Sequence, residues 1–515
     1  MPDAPTEVAL FDRPLTAPDV PVELQPRRGR AREKLDEIFG ADLRSLAAFR
    51  IVLALVVLLD LASRARDLTA DYTDVGVMPR TDLVGHTNLF SHWTFSVNLI
   101  SGSAAVQGLI FAIAALAALG MLLGYRTRSM TLIVWFFELS IQWRNPLLNG
   151  GGEELLRVLL FWGLFLPLGA WWSVDRARQR TAPPLSFRVA SVPTAALFLQ
   201  IAFVYWFAVI LKSGPEWRFQ GTALHYALSI DQLATPLGTW LLQFSALLTV
   251  LTFGVLALEA FGPFLLFSPF KTGTTRTIAV VLFMSLHLGI WLTLGLGMFP
   301  AIAGLCMVCF LPGTFWEKAA RLLRGSGPRR RAPRAVGPPA TSRTPRALNL
   351  LAGLLLLYVL YWNLTTVSTI QMPDPVNRIG PFLGISQIWD MFTPSPLRDD
   401  GWYVMPATLR GGRAVDVAGV LRGDEATRPV SFRRPQSIRG TYKTEHWRKY
   451  LENVRHQHAE QQVYLADYVC RQWNQHHSGS EVLTRFSIVY MLDWPRADNR
   501  HSPPTLQTTF VHSCA

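Results

Sequence analysis

Lys212 closes the apolar run "AALFLQIAFVYWFAVIL", and it is the side chain in this sequence best suited to proton chemistry. An apolar setting penalises the charged form of a lysine, so a lysine there gives up its proton and acts as a base, which arginine does not do. Six of the 49 Lys and Arg residues are lysine. Either residue serves to anchor a span end at the headgroups, so the use of lysine favours chemistry over anchoring. In "LKSGPEW", Glu216 and Trp217 follow closely, with His225 beyond. A second block, "QWRNPLLNGGGEELLR", carries Arg144, Asn145, Glu153, Glu154 and Arg157. His287 stands inside the apolar stretch "SLHLGIW".

The glycines of "NGGGEE" suit two readings. They free backbone N–H groups to cradle an anion, or they form a tight turn that sets glutamates at a helix N-terminus, where the helix dipole favours them. A phosphate loop is excluded, because the Lys-Ser/Thr pair and its spacing are missing. No metal site is expected: Cys306 and Cys309 lie in an apolar run without flanking ligands and read as small buried residues.

These residues need elements to position them. The chain has 515 residues, 50% of them apolar, with 17 Trp and 30 Phe, the profile of a polytopic α-helical membrane protein. Runs long enough to span a bilayer are expected near 43–62, 105–123, 130–148, 154–172, 194–211, 238–267, 276–294, 298–312 and 347–367, about nine transmembrane helices. The net charge of +13 does not mark a nucleic-acid partner, because the basic residues sit between apolar runs and not on one face. The partner it implies is the lipid bilayer. "RRGRAREK", "YRTR", "DRARQR", "KTGTTR" and "RLLRGSGPRRRAPR" flank alternate span ends, so all fall on the cytoplasmic side if the N-terminus does. The segment after 367 then lies outside, in a periplasm or its equivalent.

With that topology Lys212, the "NGGGEE" loop and the loop carrying His225 share the outer face. His287, in the span that starts at Arg276, has risen about 16 Å toward it. Ionisable residues inside spans are costly and tend to mark function; Arg50, Asp60, Glu138 and Glu259 join His287 in that class. Residues 1–42 read as a polar tail with an amphipathic helix, "REKLDEIFGADL", and Trp93 as an aromatic interface anchor. Residues 313–346 read as an Arg/Pro/Gly-rich cytoplasmic linker. Residues 368–515 read as a small α+β domain: two strands around a Gly-Gly turn in "GWYVMPATLRGGRAVDVAGV", a helical stretch of about 30 residues from "TEHWRKYL", and a strand in "EVLTRFSIVYMLDW". Cys470 and Cys514 share that compartment, which permits a disulfide.

"VYWFAVILKSGPEW" followed by "SLHLGIWLTLGLGMFPAIAGLCMVCFLP" resembles the core of the vitamin K-dependent gamma-carboxylases and their bacterial relatives, the HTTM (horizontally transferred transmembrane) domain proteins. "DVGVMPR" and "RNPLLNGGGEELLR" resemble the bacterial branch, and "ISQIWDMFTPSP" and "YLADYVCRQWN" its tail. The resemblance implies a bacterial inner-membrane protein whose Lys212 matches the lysine that deprotonates vitamin K hydroquinone. A reduced quinone would then be the cofactor, and Glu216, Trp217, His225, His287 and the "NGGGEE" block would line its site. One departure weakens protein-glutamate carboxylation: the carboxylases carry an Asn-Asn-His-aromatic stretch where this chain has "LLNGGGEELL", and His287 belongs to a different motif. Three functions follow as expectations: quinol-dependent chemistry with Lys212 as base, true glutamate carboxylation, or a non-catalytic scaffold whose outside domain engages a protein client.

Overall fold

The computed structural model describes residues 29–85, 94–179, 187–324, 345–424, 426–496 and 501–514. The tail before residue 29, Trp93 and most of the 313–346 linker lie outside the described residues.

The long helices begin and end where local chemistry directs. Leu43–Ala65 starts at Asp42, whose carboxylate accepts the Arg44 N–H at 2.8 Å. Ala104–Leu123 is capped by Ser103 and stops at Gly124, whose φ of 68° lies in the left-handed region that glycine adopts without strain. Val192–Leu211 is capped by Ser191, has Pro193 in its first turn and ends at Lys212.

Six described helices are long and apolar enough to cross a membrane: Leu43–Ala65, Ala104–Leu123, Val192–Leu211, Ser245–Leu266, Thr272–Thr293 and Arg346–Val367. A seventh is reached if Phe299–Phe310 and Gly313–Leu323, bent by 95° at their junction, count as one span. The expected nine are therefore not reached. Thr127–Arg144 is a helix of 18 residues, but it carries Arg128, Glu138 and Arg144. Gly151–Gly163 has 13 residues, about 20 Å of helix against a hydrocarbon core of about 30 Å. Thr127–Arg144 packs between Ala104–Leu123 and Gly151–Gly163, with Glu138 and Arg144 buried and Arg128 exposed. The run expected over 238–267 is broken into Pro236–Leu241 and Ser245–Leu266. The start of the expected linker is also corrected, since Gly313–Arg324 is an amphipathic helix.

After Arg346–Val367 the chain builds a five-stranded antiparallel sheet. Strands Pro406–Leu409 and Ala414–Asp416 form the hairpin expected at the Gly-Gly turn, with Gly412 at φ 81°. Leu483–Asp493 is the central strand, paired on one side with Asp400–Val404 and Pro406–Leu409 and on the other with Thr505–Ser513. That last strand was not expected from the sequence. The expected 30-residue helix is two, Glu445–His456 and Gln462–His476, and a Cys470–Cys514 disulfide ties the second to the edge strand.

The domain is docked on the bundle. One apolar core runs from Leu46 and Phe198 in the bundle to Trp447 and Trp473 in the domain. Tyr450 donates to the Val77 carbonyl at 3.2 Å, Asn453 to the Leu147 carbonyl at 2.8 Å, and Lys443 pairs with Asp67.

Candidate functional site

Lys212 sits at the domain-bearing end of Val192–Leu211, 5% exposed. Its ammonium pairs with Glu259, a buried carboxylate on Ser245–Leu266, and lies 4.9 Å from the centre of the Trp217 ring. Two turns earlier on the same helix face, Tyr205 is fully buried with its hydroxyl 2.9 Å from His287 Nε2. The Tyr205 ring lies 4.2 Å from that of Phe283. His287 is 3% exposed, and its Nδ1 has no hydrogen-bond partner. Gly304 lets the neighbouring helix approach it, since a Cβ there would stand 3.0 Å from the His287 Cβ. The two pairs lie two turns apart along Val192–Leu211, a Lys212 island of polar groups in apolar surroundings. Glu259 was legible as an ionisable residue inside a span; Tyr205 was missed, because a tyrosine in an aromatic run carries no sequence signal.

Apart from Trp217, the remaining expected residues make their described contacts away from Lys212. Several fasten the bundle to the chain beyond it. Trp217 donates to the Phe392 carbonyl at 2.9 Å. Glu216 accepts from Ser395 and Arg398; burial pushes its carboxyl up, but these hydrogen bonds prevail and hold it below the usual range. Arg157 donates to the carbonyls of Gly384 at 2.8 Å and Ser386 at 3.0 Å, and Glu154 accepts from the Ile388 N–H at 3.2 Å. His225 lies 3.3 Å from the Arg496 carbonyl. Arg144 and Asn145 hold the first loop, donating to Met78 O at 2.9 Å and Asp71 O at 3.0 Å. The single pocket expected from the sequence is therefore a set of tie points around the Lys212 island.

Glu153 belongs to a second polar cluster. It caps its own helix, accepting the Gly150 N–H at 2.8 Å, which is the helix-start reading of "NGGGEE". Its other oxygen faces Arg64 and His446. A histidine thus reaches the glycine loop through space, from helix Glu445–His456 of the C-terminal domain. A cavity of about 280 Å³ opens nearby, lined by Trp291, Gly295, Arg439, Tyr442, Lys443 and Arg448. Neither Lys212 nor His287 lines it. The Lys212 island is the chemically equipped place, and this cavity is a cleft between bundle and domain.

Apolar helices of spanning length and an α+β domain seated on one end of their bundle define a multi-pass integral membrane protein. A family model for the HTTM domain matches residues 40–315, and the chain belongs to that family. The match holds Lys212, Glu259, Tyr205, His287, Asp60 and Glu153, and stops short of the C-terminal domain. No curated protein and no solved structure matches the chain.

Proposed function

We propose that the protein binds a quinol or similar lipid-soluble hydroxyl compound at the domain-bearing end of the bundle, with Lys212 as the base. The observation that carries this reading is the buried Lys212–Glu259 pair beside Tyr205 and His287. Glu259 changes the expected mechanism from a lone amine to a pair. With the shared proton resting on Glu259, the Lys212 amine takes the hydroxyl proton of the quinol and leaves an oxyanion. The apolar surroundings keep water from that oxyanion, and the Tyr205 hydroxyl, paired with the His287 ring, lies two turns away along Val192–Leu211. Lateral entry from the bilayer is supported by Ser245–Leu266 and Thr272–Thr293, which expose Val250, Phe261, Val281 and Trp291. The proposed setting is a bacterial inner membrane, N-terminus cytoplasmic and domain periplasmic. Its support is the basic set Arg126, Arg176, Arg178 and Lys271 at bundle ends opposite the domain.

The test is quinol oxidation or epoxidation by purified protein given vitamin K hydroquinone. Activity is expected in wild type and lost in Lys212→Ala; full activity in that variant rejects the role of Lys212. A second reading, a scaffold whose domain holds a client, is favoured by one observation. Thr505–Ser513 is an edge strand, largely exposed and paired on one side among the described residues, which suits strand addition by a partner chain. Stable capture of a client by the full chain, with no quinol bound, would favour that reading. Glutamate carboxylation remains a third, decided by CO₂ incorporation into a glutamate peptide.

A further inference from the structure

We infer that Asp60, Glu153 and His446 form a binding site for a divalent transition-metal ion at the junction of the bundle and the C-terminal domain. Asp60 comes from the first long helix, Glu153 from the first turn of Gly151–Gly163 and His446 from Glu445–His456. One ligand atom from each lies within 4.8 Å of the others. His446 Nε2 is 3.5 Å from a Glu153 oxygen and 3.8 Å from an Asp60 oxygen. These separations exceed a good hydrogen bond, which runs to about 3.2 Å. They match ligands sharing one ion: donors each about 2.1 Å from a common centre, at angles of about 110–130°, stand about 3.4–3.8 Å apart.

The carboxylates are already oriented for this. Asp60 gives its Oδ2 to Arg64 Nε at 2.6 Å, leaving Oδ1 toward His446. Glu153 Oε2 accepts from the Gly150 N–H, and its Oε1 faces both His446 and Arg64. Arg64 is itself fixed by Tyr72, donating at 2.8 Å. Such outer contacts are what set ligand direction in metal sites.

An independent observation is Glu138. It is 1% exposed, and neither carboxylate oxygen has a hydrogen-bond partner. Its neighbours are Asp60, Arg64, Glu153 and the Gln142 amide. That amide also donates to the Glu153 carbonyl at 3.3 Å and accepts from Arg157. An unpaired buried carboxylate is costly. Asp60 and Glu153 share one guanidinium, Arg64, and a divalent cation would supply the further positive charge between them. Asp71, the next carboxylate out, is pushed up to about 7 by burial and by Asp67 and stands outside the ligand set. One imidazole with carboxylates suits the borderline ions Zn²⁺, Fe²⁺ and Mn²⁺. Because His446 belongs to the domain, the ion would clamp domain to bundle, a role separate from the Lys212 island.

The test uses the full chain, purified in detergent, stripped with a chelator and titrated with Co²⁺ as a coloured probe. One Co²⁺ per chain with visible d–d absorption is expected for wild type and for Lys212→Ala. His446→Ala is expected to bind more than about 100-fold more weakly, the upper end of what loss of an outer-shell partner costs. His446→Cys serves if the alanine variant fails to fold, and is expected to retain Co²⁺ and add a sulfur-to-cobalt charge-transfer band. No saturable Co²⁺ uptake by wild type, equal affinity in His446→Ala, or bound Co²⁺ without that band in His446→Cys would each overturn the inference.

Discussion

Replacing Glu259 by Gln puts the buried pair to a quantitative test. The Lys212 and Glu259 side chains are 6% and 11% exposed, so water does little to replace a lost partner. Breaking such a pair strands a charge and costs about 3–5 kcal/mol, whereas exchanging both members for apolar residues of similar volume is near neutral or stabilising. Glu259→Gln and Lys212→Met are therefore each expected to destabilise by about 3–5 kcal/mol, and Lys212→Met/Glu259→Leu by much less than their sum. In a double-mutant cycle, with Glu259→Leu as the second single variant, the interaction energy is expected to reach about 3 kcal/mol or more. Unfolding by titrated denaturing detergent, followed by tryptophan fluorescence and protease resistance, measures all five proteins. Additive single effects, or a Glu259→Gln protein as stable as wild type, would refute the claim that the two groups are a desolvated pair. The base proposed for the quinol would then have to be argued from Lys212 alone.

Three other outcomes follow. Tyr205→Phe leaves His287 with neither ring nitrogen hydrogen-bonded to Tyr205 or to another described group, and a loss of about 1–3 kcal/mol is expected in the same unfolding assay; no loss would show that the contact is not formed. The Cys470–Cys514 bridge spans a sequence separation of 44, so loop-closure entropy gives about 4 kcal/mol of stabilisation lost in Cys470→Ala/Cys514→Ala, measured by thermal unfolding of the full chain with and without reductant. Burial, reinforced by the Asp67 charge, pushes Asp71 from 3.8 to about 7. The folded state therefore holds this proton where the unfolded chain has lost it. Its contribution is complete below about pH 4 and is lost toward pH 7 at up to about 1.4 kcal/mol per pH unit. Asp71→Asn is expected to flatten stability against pH across that window, and an unchanged slope would count against the assignment.

Periodicity and run length were enough to place most helices, because a long apolar run has to satisfy its backbone internally whatever its neighbours are. Length and composition alone do not confirm spans at Thr127–Arg144, which carries three charged side chains, or at Gly151–Gly163, which has 13 residues. Helix Glu445–His456 was read as part of a longer one, since both pieces carry the same pattern and the break at 457–461 contains neither Gly nor Pro. Strand Thr505–Ser513 was invisible, its residues being mostly exposed and polar and held by pairing to Leu483–Asp493.

Sequence by itself determined a membrane bundle followed by an α+β domain, and it marked Lys212, Glu259, His287, Asp60 and Glu138 as ionisable groups in apolar runs. Those are properties of local composition. Tertiary structure alone decided their partners: Glu259 for Lys212, Tyr205 for His287, and His446, nearly 300 residues along the chain from Glu153, for the glycine loop. A partner is chosen by which helices pack, and packing is a contact between distant segments that no local pattern records. The "NGGGEE" loop shows the difference most clearly, since the histidine that faces its Glu153 comes from the docked domain.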